Sequence, residues 1–254
     1  MWRARSTPIR HCPRPSWRPP RPLMDKRCIS IRPAPEARAG QERLMDAAPT
    51  ELEVRRLGRA DYGEVHALQE QLVEQRARGE IVDQLLLVEH NPIWTVGRGA
   101  QPEGDGMLPV ARGGEATYHG PGQLVAYPIM LLPEGRRDLK RYLRELEEVV
   151  LCVLGEFQLS GSRRDGLTGV WIGEKKVCSI GIAVRRWVTW HGLALNVHTD
   201  LAAFRDHSPC GLDPAVMTRL AEHTPLPPGL PLIEELVVKH LARVFGCEPR
   251  QYGA

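Results

Sequence analysis

Apolar positions recur with two different periods along this 254-residue chain. From 138 to 157, Leu139, Leu143, Leu146, Val150 and Val153 return every three or four residues, which predicts an amphipathic helix. Asp61 precedes Val65, Leu68 and Leu72 at helical spacing, so a helix capped by Asp61 and running to about Arg78 is predicted. A third amphipathic helix is predicted over 232–245, and Asp213-Pro214, a capping residue followed by proline, reads as a further helix start. Shorter segments read as strands: 51–57, the apolar runs 84–89 and 124–132, then 93–96 and 193–197. Gly169 to Gly173 and Val177 to Val184 flank Glu174-Lys175-Lys176 in the manner of a hairpin. Strands dominate the middle without regular strand–helix alternation, and no repeat is visible. The expected fold class is α/β, a single domain on a mixed β-sheet flanked by helices.

Composition changes this picture at one end only. The chain is 42% apolar and 26% charged, enough to bury a sizeable core. No apolar run approaches the ~20 residues that a membrane helix needs. Residues 1–43 hold ten Arg and one Lys against Asp25, Glu36 and Glu42, a net +8, and the remaining 23 basic and 28 acidic residues leave the rest at −5. A mildly acidic body is the wrong sign for a nucleic-acid partner. Eight prolines crowd the same basic stretch, from Pro8 to Pro35. Residues 1–45 are therefore expected to be a disordered Arg/Pro-rich extension, with Met24 or Met45 as the favoured start, and 46–250 to form the domain. No secretory apolar stretch is present, and the prolines interrupt the amphipathic helix of a transit peptide. Cys12, Cys28, Cys152, Cys178, Cys210 and Cys247 form no close CxxC pair, so a reducing, cytoplasmic setting is expected rather than a disulfide framework.

Candidate chemistry lies in two places. Residues 112–123, Arg-Gly-Gly-Glu-Ala-Thr-Tyr-His-Gly-Pro-Gly-Gln, combine four glycines and a proline with Arg112, Glu115, Thr117, Tyr118, His119 and Gln123. Little side-chain bulk lets the backbone turn sharply and approach a ligand, and the apolar run beyond fixes the loop to a core. Cys210, between Pro209 and Gly211, sits before the helix expected at Pro214, whose positive end would favour thiolate. Cys152 and Cys178 read as buried filler. An activated thiol needs a basic neighbour, and Lys176, His119, His191, His198 and His207 are the candidates. His198, His207 and Cys210 match no common zinc spacing, so no metal is expected. There is no P-loop, and Gly97-Arg98-Gly99 falls short of a dinucleotide fingerprint, so no cofactor is expected either. The basic residues Arg136, Arg137, Lys140, Arg141 and Arg144 are either a solvated helix face or a dock for an acidic partner.

These pieces coincide in order with one family. The chain resembles the lipoyl(octanoyl) transferases through Leu86-Leu87-Val88-Glu89-His90-Asn91-Pro92 with Thr95-Val96-Gly97-Arg98, and Arg112-Gly113-Gly114 with Thr117-Tyr118-His119-Gly120-Pro121-Gly122-Gln123. Gly169-Val170-Trp171 with Lys176-Val177-Cys178-Ser179-Ile180-Gly181, then His191-Gly192-Leu193-Ala194-Leu195-Asn196 and Pro209-Cys210-Gly211, complete the match. The resemblance implies transfer of an octanoyl or lipoyl group from acyl carrier protein to a lysine of lipoyl domains, in 2-oxoacid dehydrogenase E2 subunits and the glycine-cleavage H protein. It implies Cys210 as the acyl-thioester nucleophile and Lys176 as the residue that lowers its pKa and moves protons. It implies a substrate pocket at Arg112, Gly113, Gly114, Glu115, Ala116, Thr117, Tyr118 and His119, at Ser179, Ile180 and Gly181, and at Gly192, Leu193 and Ala194. The fold it implies is that of the biotin and lipoate protein ligase catalytic domains. Glu115 and Cys178 depart from the residues most common in the family. The rival readings are an ATP-dependent ligase on the same fold and a non-catalytic binding protein for lipoyl domain or acyl carrier.

Overall fold

A computed structural model describes residues 50–102, 106–205 and 212–253. Eleven strands are seen among them: β1 (Thr50–Ala60), β2 (Asp83–His90), β3 (Ile93–Val96), β4 (Met107–Pro109), β5 (Ala116–His119), β6 (Gln123–Ile129), β7 (Gly161–Arg164), β8 (Leu167–Ile172), β9 (Lys175–Arg185), β10 (Val188–Asn196) and β11 (Cys247–Gln251). Three α-helices accompany them: α1 (Tyr62–Ala77), α2 (Leu139–Glu156) and α3 (Leu230–Phe245). Eight strands make one sheet in the order β11-β1-β2-β6-β10-β9-β8-β7, and β4-β3-β5 form a second. In the large sheet β1 runs parallel to β11 and β2, whereas β2–β6, β6–β10, β10–β9, β9–β8 and β8–β7 are antiparallel. The sheet is mixed, as expected.

The parallel β1–β2 pair needs a crossover, and α1 supplies it. Asp61 caps α1 by accepting from Gly63 and Glu64 N–H, and Asp138 does the same for α2 at Lys140 and Arg141. α1 packs on one face of the sheet, α2 and α3 on the other. The strand β2 shows the consequence: Leu85 and Leu87 join the α2/α3 core while Leu86 and Val88 join the α1 core. A strand covered on both faces has no polar side, so it reads as a continuous apolar run.

Three expectations need correction. Asp213-Pro214 starts no α-helix: Asp213 caps only a single 3₁₀ turn, Pro214–Val216. Beyond it Met217 bridges to Lys176, and Thr218 N–H donates to Lys176 O at 2.9 Å, so pairing with β9 rather than a helix satisfies this donor. The glycine-rich stretch is not all turn, because Ala116–His119 pairs with β3 as strand β5. The hairpin turns at Gly173 and Glu174, so Lys175 and Lys176 already belong to β9. The basic extension, His207 and Cys210 lie outside the described residues.

Candidate active site

Strands β5, β6, β9 and β10, the start of α1 and the Arg112 loop line a narrow cleft. Its wall is the β9–β10 pair, where Gly181 faces Gly192, Ile180 faces Leu193 and Ser179 faces Ala194. A side chain at Gly192 would collide with Ala126 O and lie 2.8 Å from Pro128 Cδ, so only glycine lets β10 close on β6 here. Arg112 is buried and acts as a clamp. Its Nη2 donates to Thr95 O and Oγ1, both at 2.9 Å, and Nη1 donates to Glu115 O at 2.7 Å and Gly113 O at 3.1 Å. Gly113 N–H donates to Ile182 O at 2.8 Å, tying the same loop to β9. Five donors in a fixed plane suit one side chain to gather several carbonyls.

The floor is polar in composition and uncharged in state. Tyr62, His90 and His119 form a triangle of rings, with centroids 5.0, 5.9 and 5.8 Å apart, and His90 Nε2 meets Tyr127 OH at 2.9 Å. Burial lowers His90 to about 4. Burial, then the neighbouring His90, takes His119 to about 3. Burial, then His66 and Arg112, takes His191 to about 3. At neutral pH all three rings are therefore neutral, and the cleft stays compatible with an apolar ligand. His191 has φ +53°, unusual for a non-glycine residue, and its N–H is held by Gln69 Oε1 at 2.9 Å. Below this floor His119 Nδ1 meets Gln123 Oε1 at 2.7 Å, Gln123 Nε2 donates to Asn196 Oδ1 at 3.0 Å, and Asn196 Nδ2 donates to Thr218 O at 3.0 Å. Because Gln123 spends its amide group on Tyr118 O and Asn196, its oxygen must accept, which assigns the proton to His119 Nδ1.

Beside the cleft, and sharing Gly114, Ile180 and Gly181 with it, opens a second recess lined by Gly113, Glu115, Leu143, Leu167 and Lys176. Lys176 is only 2% exposed, and its Nζ lies 5.3 Å from the centroid of the buried Trp171 ring. The thiol of Cys178 is raised to about 12 by burial and is inert, as its place in a strand led one to expect. Cys152 is half-buried rather than filler, with Arg243 Nη2 2.8 Å from its sulfur.

Of the residues implied for the pocket, Arg112, Gly114, Thr117, His119, Ser179, Ile180, Gly181, Gly192, Leu193 and Ala194 line the cleft. Gly113 and Glu115 line the recess with Lys176. Ala116 and Tyr118 line neither: alternation along β5 turns them away, and Tyr118 packs on Trp94 and Phe204. Tyr62, Val125 and Tyr127 were not foreseen as wall residues. Period-2 reading of 123–129 from a cleft-facing position would have found Val125 and Tyr127, but nothing local marks Tyr62.

Residues 61–242 match the family described as the lipoyl protein ligase A/B catalytic domain. An octanoyltransferase of Solibacter usitatus is 42% identical over 207 residues, 77% of this chain and 93% of the relative. One of Syntrophotalea carbinolica is 45% identical over 194 residues, 74% of this chain and 92% of the relative. The chain belongs to this family. Among solved structures, a lipoate-protein ligase A bound with ATP superposes with a TM-score of 0.62 at 16% identity, over 80% of this chain and 88% of that one. A biotin protein ligase of Aquifex aeolicus with biotin and ATP gives 0.50 at 17% identity, over 76% and 70%. At such identities the superpositions speak for the fold alone, and that fold is the one expected from the sequence.

Seen as a lipoyl protein ligase A/B family member, the protein has a helix face that is less available than its sequence suggests. Arg136 and Arg141 both pair with Glu145, at 2.8 and 2.9 Å, and Arg144 pairs with Glu147 at 2.8 Å. Arg185 and Arg186 pair with Glu74 at 3.2 and 3.1 Å. Lys140 makes no ion pair among the described residues. No helix among the described residues is long and apolar enough to cross a membrane.

Proposed function

We propose that this chain transfers an octanoyl group from acyl carrier protein to a lysine of lipoyl domains, in 2-oxoacid dehydrogenase E2 subunits and the H protein, through an acyl thioester on Cys210. The observation that carries the reading is the union of a cleft floored by neutral histidines with a buried lysine at its side, in a chain belonging to a family with octanoyltransferase members. Met217, seven residues beyond Cys210, is bridged to Lys176, which supports an approach of the two. The shortness of the 3₁₀ turn at Pro214 removes the helix dipole as the source of thiolate, so that task falls to the Lys176 ammonium.

The Cys210 thiolate attacks the carrier thioester carbonyl, a tetrahedral oxyanion forms, and the C–S bond to the carrier breaks as its thiolate leaves and takes the proton of the Lys176 ammonium, which is left neutral. Thioester exchange is near thermoneutral and needs no ATP. In the second half the lipoyl-domain amine attacks the acyl-Cys210 carbonyl, neutral Lys176 accepts the amine's proton, and the C–S bond to Cys210 breaks to leave an amide. The octanoyl chain occupies the cleft between β9, β10 and the Arg112 loop, with residues 46–250 acting as one catalytic domain in the cytoplasm, where thiols stay reduced.

The test is intact mass after incubation with octanoyl-acyl carrier protein. Wild type should gain one octanoyl group that apo lipoyl domain then discharges, and Cys210→Ala should gain none. No adduct, with lipoyl domain modified only when ATP is added, would replace this reading with a ligase.

A further inference from the structure

We infer that Glu147 and Gly169 are positioning residues that seat Lys176, an inference that rests on the role proposed for that lysine. Glu147 projects from α2 toward the sheet and is 1% exposed, although it is a carboxylate. Its Oε2 accepts from Arg144 Nη1 at 2.8 Å and from Arg163 Nε at 3.1 Å. Its Oε1 accepts the backbone N–H of Gly169 at 3.2 Å. A buried carboxylate is costly unless its lone pairs are satisfied, and here one of them is committed to the backbone of β8 next to the lysine.

Gly169 explains why. It has φ +137°, a conformation that side chains rarely adopt, and a Cβ there would stand 2.5 Å from Cys178 O and 2.8 Å from Lys176 Cε. The lysine stem therefore runs through the space that a side chain at 169 would take. Register along the strands agrees: Gly169 faces Ser179 and Val170 faces Cys178, then an irregularity brings Trp171 opposite Lys176. That irregularity moves Lys176 one step out of simple alternation and turns its stem over Gly169 and the Trp171 ring. Glu147, by holding Gly169 N–H, fixes the strand at the step where this happens.

Glu147 is itself met by two cations, Arg144 on α2 and Arg163 on β7, while Arg164 sits 5.7 Å from the Trp171 ring centroid. Arg144 and Arg163 offset much of the Glu147 charge. The action of Glu147 is thus geometric.

The experiment compares wild type with Gly169→Ala, Glu147→Gln and Lys176→Ala, using octanoyl-acyl carrier protein and apo lipoyl domain, with near-UV circular dichroism to verify folding. Gly169→Ala should lower kcat about 100-fold with KM within about twofold, the cost of roughly 1 Å of misplacement in a reacting group. Glu147→Gln, the same shape without the charge, should lower kcat about tenfold, again with KM within about twofold. If both variants fold and lose only thermal stability, with kcat unchanged, the two residues are structural and the inference is overturned. If Gly169→Ala does not fold, the split between kcat and KM in Glu147→Gln decides alone. Lys176→Ala separates the two levels: full activity there would remove the proposed function itself, whereas loss there with none in the other variants removes only this inference.

Discussion

Acidification from pH 7.5 to 5.5 should destabilise the folded domain, and three histidines set the amount. His90, His119 and His191 are held neutral by burial, at about 4, 3 and 3. Their folded pKa values lie below the unfolded value near 6.5, so their stabilising contribution is full above pH 6.5. It is lost as pH falls from there toward 3–4, because the unfolded chain binds protons first. Between pH 7.5 and 5.5 the folded rings stay neutral, so the magnitude depends only on ordinary histidines in the unfolded chain: about 1.4 kcal/mol each, roughly 4 kcal/mol together. For a domain of this size that is a Tm decrease of about 8–16 °C. Asp83 and Glu234, both raised by burial, act with opposite sign as pH approaches the carboxylate range. The assay is urea and thermal unfolding at pH 7.5, 6.5 and 5.5, beside His119→Asn, whose amide can replace the Nδ1 donor to Gln123. Loss of about one proton from the slope in that variant identifies the ring. A Tm that is flat across the three pH values in wild type would refute the claim that burial keeps these rings neutral.

Other outcomes follow from the same geometry. Lys176→Ala should lower acyl transfer by at least about 100-fold, measured as the rate of octanoyl-adduct formation on Cys210. Gly192→Ala places a Cβ against Ala126 O and should cost about 1–3 kcal/mol in urea unfolding, as overpacking does. Filling the cleft with Ala194→Leu should shift preference from octanoyl toward shorter acyl donors, read from competition between carrier thioesters. Lys140→Glu should raise KM for acyl carrier protein without changing Tm, whereas Arg136→Glu, which breaks a contact to Glu145, should lower Tm; equal KM for wild type and Lys140→Glu would take this face out of carrier docking.

Some of this protein was written in local order. Helices at 62–77 and 139–156 follow from apolar spacing and from Asp61 and Asp138 at their starts, because capping and periodicity act within a few residues. The buried run 84–89 announced a strand for the same reason. The ordered motifs carried the family, and with it the fold and most of the cleft wall. What they did not carry was which side chains meet. Local chemistry at Asp213-Pro214 favoured a helix, and a long-range bridge to Lys176 won instead. Alternation along β5 sent Tyr118 away from the cleft and His119 into it, a choice fixed only by the pairing of β5 with β3. Tyr62 reached the floor because α1 begins there against β2 and β5, and Glu147 met Gly169 across 22 residues of sequence. Neutral histidines, a buried lysine and a buried carboxylate are properties of burial, and burial belongs to the folded whole: the sequence names the groups, and only tertiary packing removes the water that sets their charge.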